Sequence, residues 1–262
     1  MPWLDLYAGE PDADEPSLTA IAELALLSDL IRRARRPAPL EAFADELGDW
    51  LRGQAGHPSV RRLVSDGPAL ALSAPLMLRA ALGEDVEDVL PARVLAEACA
   101  RLDLSGAPMT HWRRLETAAL TRRLDIRFSL AGVRERPLLT GPLSAVREVA
   151  DLYRVTHEVF HVSDFGARTL GVRTGASALR KCRAGLGWAL ANRHVDLTAE
   201  FIAALNCLGG DEVLRARAWI ALSETLSGTT GATIADRAEA ISQYHPYVAT
   251  LLAAVTPVIA ER

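Results

Sequence analysis

The chain has little lysine, few aromatic residues and no long apolar run. Only one of its 29 basic residues is a lysine, Lys181, and the formal net charge is −4. Nucleic-acid-binding proteins usually concentrate positive charge on one face, so we expect no nucleic-acid partner. The longest apolar stretches, residues 68–78 and 248–260, are shorter than the roughly 20 residues that cross a bilayer, so we also expect no membrane partner.

Cysteine is also scarce. Cys99, Cys182 and Cys207 are odd in number and far apart, which excludes both a disulfide framework and a Cys-x-x-Cys metal site. Residues 1–16 are acidic and contain prolines, unlike a secretory leader, which is basic and then apolar. Together these features predict a cytoplasmic protein.

Apolar residues recur at intervals of three to four along nearly the whole chain, which is typical of amphipathic helices. Half of the residues are hydrophobic, enough for a sizeable core. We therefore predict an all-α protein of about ten helices, arranged as an irregular bundle or an α/α toroid-like array. Residues 1–16 are expected to form an acidic flexible N-terminus, and residues 17–262 a single helical domain.

Two details of this helical pattern carry separate predictions. Residues 126–133 and 138–140 are apolar and β-branched, which predicts at most one short hairpin. Pro246 is predicted to divide the last two helices, which would place His245 in a loop.

Polar side chains concentrate in one segment that otherwise has the pattern of a core helix, Thr156–Gly166. It contains the sequence His157-Glu-x-x-His161. Two histidines four residues apart on a helix can bind one metal ion, and the glutamate between them can take a proton from a metal-bound water. Asp164 falls within the same stripe, which spans about 60° of the helix face. The two histidines and Asp164 are therefore candidate metal ligands.

The His-Glu-x-x-His motif resembles that of the zincin group of zinc metallopeptidases. This resemblance implies that His157 and His161 bind zinc and that Glu158 is the catalytic general base. The chain departs from the metzincin pattern at Ala167, where a third histidine would stand. A third ligand of the gluzincin kind would be Glu200, on another predicted helix.

Asp196 and Glu200 form a second candidate cluster, because carboxylates four residues apart lie on one helix face. If this helix packs beside the one that carries His157, a mixed carboxylate and imidazole site results. In that site we assign Glu200 to the metal and Asp196 to substrate binding. Glu158 and His161 also form the Glu-x-x-His step of di-iron helical bundles, but those bundles need a second copy, which the sequence lacks.

The longer segment Leu152–Gly166, with Thr-His near its start and Asp-Phe-Gly at its end, resembles a second group of proteins. These are uncharacterised helical actinobacterial proteins associated with natural-product or peptide-modification genes. The resemblance implies no established activity. It makes His157 and Asp164 the firmest site candidates.

Three functions follow as hypotheses. The first is a metal-dependent hydrolase, with zinc as cofactor, that acts on a small amide, ester or peptide in a bacterial specialised-metabolite pathway. The second is a metal-free helical enzyme or binding protein, whose pocket uses His157 and Asp164 as an acid–base pair for a small-molecule or peptide partner. The third is a helical interaction scaffold in which the polar stretch is structural. No sequence feature sets the oligomeric state.

Overall fold

The computed structural model of the chain describes residues 15–33, 38–66, 72–105, 109–128, 137–227 and 237–256. Within these ranges it contains eleven α-helices and no β-strand, which confirms the predicted all-α fold. The helices are α1 (Glu15–Arg33), α2 (Ala38–Gly56), α3 (Pro58–Asp66), α4 (Ser73–Leu82), α5 (Ala92–Ser105), α6 (His111–Arg123), α7 (Val149–Ser163), α8 (Val172–Ala191), α9 (Val195–Leu208), α10 (Glu212–Ser227) and α11 (Arg237–Val255). None of these described helices is both long and apolar enough to cross a membrane.

Contacts between residues divide the chain into two compact units. The first unit is Met1–Arg134 with Asp236–Ile241, and the second is Glu135–Ala235 with Ser242–Arg262. The first therefore contains α1 to α6, and the second contains α7 to α10 and most of α11. A single helical domain over residues 17–262 stays a prediction. The expected N-terminal segment, residues 1–16, lies outside the described residues except for its last two, which belong to α1.

The first unit is built around α1, which packs against α2 and α4. Its apolar face is completely buried, with Ile21, Leu24 and Leu27 inaccessible to solvent. Asp29 lies at the edge of this core, where its carboxylate accepts hydrogen bonds from Arg33 and Arg123 at 2.9 and 2.8 Å. Two arginines thus compensate this buried carboxylate.

The second unit is built around α9, which packs against α7 and α8. The approach of α8 to α9 depends on Gly185, because a Cβ atom there would lie only 2.1 Å from the ring of Phe201. The Phe201 side chain is fully buried, so its ring fills the space that a side chain at position 185 would need. The close packing of these two helices sets the position of the polar face of α9.

The described residues contain no hairpin, within the prediction of at most one, whereas the predicted break at Pro246 was wrong. Residues 138–140 form a 3-10 turn rather than a strand, because the backbone N–H groups of Leu138 and Leu139 donate to a side chain instead of a neighbouring strand. Pro246 lies inside α11 and does not end it. Packing outweighs the missing N–H there, since the following turns bury Val248, Ala249 and Ala253. Residues 129–136 of the predicted hairpin lie outside the described residues.

Candidate functional site

The local sequence fixes both ends of α7, the helix that carries the His-Glu-x-x-His motif. At its start, Glu148 and Asp151 form a reciprocal capping box, in which each side chain accepts a hydrogen bond from the other residue's backbone N–H. At its end, Asp164 adopts the left-handed conformation with φ of 51° and donates its N–H to the carbonyl of Phe160. Asp164, predicted as a metal ligand, therefore caps the helix.

Glu158 points into the interior of the second unit and is fully buried. Its Oε1 accepts a hydrogen bond from the N–H of Leu138, and its Oε2 accepts one from the N–H of Leu139, both at 3.0 Å. Both oxygens are thus engaged by the 3-10 turn. The structure therefore does not support the predicted role of Glu158 as general base.

The side chain of Lys181 on α8 donates hydrogen bonds to carbonyl groups of the same turn. The ammonium donates to the carbonyl oxygens of Leu138 and Gly141 and to the hydroxyl of Ser177, the last two at 2.6 and 3.1 Å. Burial lowers the pKa of Lys181 below its ordinary value, although the negative charge of Glu158 acts in the opposite direction. The two charged groups hold the turn together, and α7 is fixed with Glu158 facing inward.

His157 faces a carboxylate of α9. Its Nε2 lies 3.8 Å from Oε1 of Glu200, and the Thr156 hydroxyl donates a hydrogen bond to the other oxygen of that carboxylate. The His157 side chain is 30% exposed, whereas the Glu200 side chain is only 13% exposed. The structure thus brings together two of the predicted site residues: the partly accessible imidazole of His157 lies beside the shielded carboxylate of Glu200.

Asp196, one turn before Glu200 on α9, has a similar partner. Its Oδ2 accepts a hydrogen bond from the Tyr153 hydroxyl at 2.6 Å, and its Oδ1 lies 3.2 Å from Nε2 of His245 on α11. Burial on its own would raise the pKa of the Asp196 carboxyl. The hydrogen bonds from His245 and Tyr153, and the charges of His245 and His194, outweigh it and lower the pKa below its ordinary value.

Tyr153 contacts both imidazole–carboxylate pairs, since its ring stacks on His157 and its hydroxyl donates to Asp196. Its ring centroid is 6.5 Å from that of His157 and 6.0 Å from that of His194. His194 caps α9, because its Nδ1 accepts a hydrogen bond from the N–H of Leu197 at 3.4 Å. The two carboxylates of α9 therefore share one aromatic-lined face, and each has an imidazole partner.

The residues predicted to bind zinc do not assemble into a metal site. His161 is buried, with its ring centroid 6.1 Å from that of His157 and 6.0 Å from that of Phe165. Among the described residues, no group of three or more His, Cys, Asp or Glu side chains is arranged to hold a metal ion. The set of His157, His161, Asp164 and Glu200 therefore does not fit zinc.

Three side chains of this face were not predicted from the sequence: Tyr153, Thr156 and His245. Tyr153 stands four residues before His157, a spacing that places both on one helix face and could have identified it. His245 was expected in a loop because it precedes Pro246. It belongs to the site because α11 continues through that proline.

We expect the Asp196→Asn variant to change how stability depends on pH. A carboxyl whose pKa is lowered by folding stabilises the native state above its ordinary pKa, here 3.8, and this contribution is lost as pH falls through the folded pKa. The difference in free energy of unfolding between wild type and variant should therefore shrink below about pH 4. Urea unfolding at pH 7, 5 and 3 measures it. A difference that stays constant or grows in acid would show that Asp196 is not stabilised as a carboxylate.

The comparisons with known proteins agree with one of the two sequence resemblances. The family profile of a domain of unknown function, DUF6895, matches residues 1–255. No curated protein and no solved structure matches the chain. The match fits the resemblance to an uncharacterised helical group and gives no support to a zincin metallopeptidase. The chain belongs to the family of the domain of unknown function DUF6895.

Proposed function

We propose that the second unit carries a metal-free enzyme site that moves a proton on a small organic molecule by general acid–base catalysis. His157 is the proton-transfer group, and Glu200 is its carboxylate partner. The observation that carries the proposal is the pairing of a partly exposed imidazole with a shielded carboxylate, 3.8 Å apart. This is the metal-free hypothesis from the sequence, with Glu200 in place of Asp164 as partner of the histidine.

The carboxylate has a defined part in this chemistry. A carboxylate 3.8 Å from an imidazole stabilises, through its negative charge, the imidazolium that forms when the ring takes a proton. Glu200 is itself held by the Thr156 hydroxyl, so its position does not depend on the ligand. Proton transfer by a positioned side chain typically accelerates a reaction by about 10² to 10⁴.

The burial of the cysteine thiols in this unit favours proton transfer over covalent catalysis by cysteine. The cysteines of this unit, Cys182 and Cys207, are fully buried, and burial raises the pKa of the Cys207 thiol to about 12. A thiol with such a pKa is a poor nucleophile because almost none of it is thiolate near neutral pH. The free, buried state of the cysteines also suits the cytoplasm, where thiols stay reduced.

The base-catalysed elimination of 5-nitrobenzisoxazole tests this function without knowledge of the natural substrate. The reaction needs only a base that removes a proton from carbon, and it releases a coloured phenolate. In buffer that contains EDTA, we expect the wild-type protein to exceed the same concentration of free imidazole. The rate of the His157→Gln variant should be at least about tenfold lower than that of the wild type, since the variant lacks the proton-transfer group.

His57→Gln is the matched control, because His57 lies before α3 in the first unit and caps that helix through its Nδ1. We expect its elimination rate to equal that of the wild type. An equal rate in His157→Gln, a rate no higher than that of free imidazole, or a rate abolished by EDTA would each refute the proposed function.

A further inference from the structure

The second imidazole–carboxylate pair provides a second group that can transfer a proton. We propose that His245, positioned by Asp196 and Tyr153, is an acid that works together with His157 as base. The site would then take a small carbon acid with a leaving group or carbonyl oxygen, and catalyse an elimination or isomerisation. This inference rests on the proposed function and adds the class of reaction and substrate to it.

The geometry places His245 for this role. Its Nε2 lies 3.2 Å from Oδ1 of Asp196, and the other oxygen of that carboxylate is occupied by the Tyr153 hydroxyl. The Asp196 side chain is 10% exposed, whereas the His245 side chain is 34% exposed. The carboxylate is therefore shielded and fixed from two sides, and the imidazole that it holds reaches the surface.

The carboxylates that pair with the two imidazoles lie one turn apart on α9. Side chains four residues apart on a helix are neighbours, with roughly 5–6 Å between their Cβ atoms. His157 approaches Glu200 from α7, and His245 approaches Asp196 from α11. The titratable groups near the two imidazoles include Tyr153 and His161 on α7, and His194, Asp196 and Glu200 on α9 or at its start.

The elimination of a benzisoxazole illustrates the separate roles of His157 as base and His245 as acid. His157 takes the proton from the ring carbon, and the electron pair of that C–H bond becomes the third bond of a nitrile. The N–O bond breaks, its electron pair goes to oxygen, and the His245 imidazolium gives that oxygen a proton. The product is a cyanophenol, no oxidant or reductant is needed, and solvent exchange returns both imidazoles to their starting states.

Two substrates that differ in the leaving group test the acid directly. 5-Nitrobenzisoxazole releases a stable phenolate that needs little help from an acid, whereas unsubstituted 1,2-benzisoxazole releases a more basic one. We expect His245→Gln to lose at least about tenfold on the unsubstituted compound and less than about threefold on the nitro compound. We expect His157→Gln to lose a similar factor on both, because both need the base.

The outcomes separate this inference from the proposed function. If His245→Gln loses the same factor on both compounds, or nothing on either, while His157→Gln loses activity, the acid is overturned and the base stands. If His157→Gln keeps the wild-type rate on both compounds, the proposed function itself is refuted. Far-ultraviolet circular dichroism and the urea midpoint of each variant show that it is folded, and Asp196→Asn should reproduce the selective loss if His245 acts through its carboxylate.

Discussion

Replacing Lys181 with methionine is expected to lower the free energy of unfolding by about 3–5 kcal/mol. The substitution keeps an unbranched side chain of similar length but removes the ammonium that donates to the carbonyls of Leu138 and Gly141. It also leaves the fully buried Glu158 carboxylate without its positive neighbour. The loss is large because these carbonyl groups stay buried without a donor, and each buried polar group that loses its partner costs roughly 1–3 kcal/mol.

The lowered pKa of Lys181 does not contradict this expectation. It means that the charged ammonium is less stable in the folded protein than in the unfolded chain, so folding becomes more favourable as pH rises from the folded pKa towards 10.5. Burying the charge costs free energy, but the hydrogen bonds of the turn depend on it. The free energy lost with these hydrogen bonds therefore exceeds the free energy gained by no longer burying the charge.

Arg180→Met is the matched control for Lys181→Met, because position 180 is the preceding residue of the same helix and is exposed. Surface substitutions of this kind usually change stability by no more than about 0.5 kcal/mol. Urea unfolding followed by circular dichroism compares the two variants. Equal midpoints for Lys181→Met and Arg180→Met would show that the turn is not held by the lysine.

Gly185→Ala is expected to destabilise the protein by about 1–3 kcal/mol or more, although alanine is the better helix former. The added Cβ would lie 2.1 Å from one ring carbon of Phe201 and 2.6 Å from two others. The ring is fully buried, so it can move only by displacing the rest of the core. The steric cost should therefore exceed the gain in helix propensity.

Gly187→Ala provides a control on the same helix, since nothing lies within 4 Å of a Cβ at that position. It should stabilise the protein by roughly 0.5–1 kcal/mol, because alanine loses less backbone entropy in a helix than glycine does. Thermal unfolding of the two variants should therefore shift in opposite directions. The double variant Gly185→Ala, Phe201→Leu should recover part of the loss. A stabilised Gly185→Ala would contradict the close packing of α8 and α9.

The all-α fold could be predicted because its signal is local. The three- to four-residue periodicity recurs in almost every segment, and each helix needs only its own sequence to show it. The pattern failed where tertiary contacts decide the backbone conformation. Residues 138–140 have the composition of a strand, but Glu158 and Lys181 bind the peptide groups of the turn, and both lie far from it in sequence.

The candidate site could be predicted only in part, for a related reason. The spacing of Asp196 and Glu200 places them on one face of a helix, and His157 was expected opposite them. Which way α7 faces could not be read from the motif, since either Glu158 or the histidines could have pointed inward. In the structure Glu158 and His161 are both buried, and His157 is partly exposed. His245 reached the site through a helix that the sequence predicted to be broken at Pro246.

A double-mutant cycle on His157 and Glu200, with the rate of 5-nitrobenzisoxazole elimination as the readout, tests whether the imidazole–carboxylate pair is the centre of function. If Glu200 acts through the imidazole, Glu200→Gln should lower the wild-type rate several-fold and have no further effect in the His157→Gln background. Glutamine retains an oxygen that can accept the hydrogen bond from Thr156, so the fold is preserved. Equal losses from Glu200→Gln in both backgrounds, or no loss in the wild type, would contradict the imidazole–carboxylate pair as the centre of function.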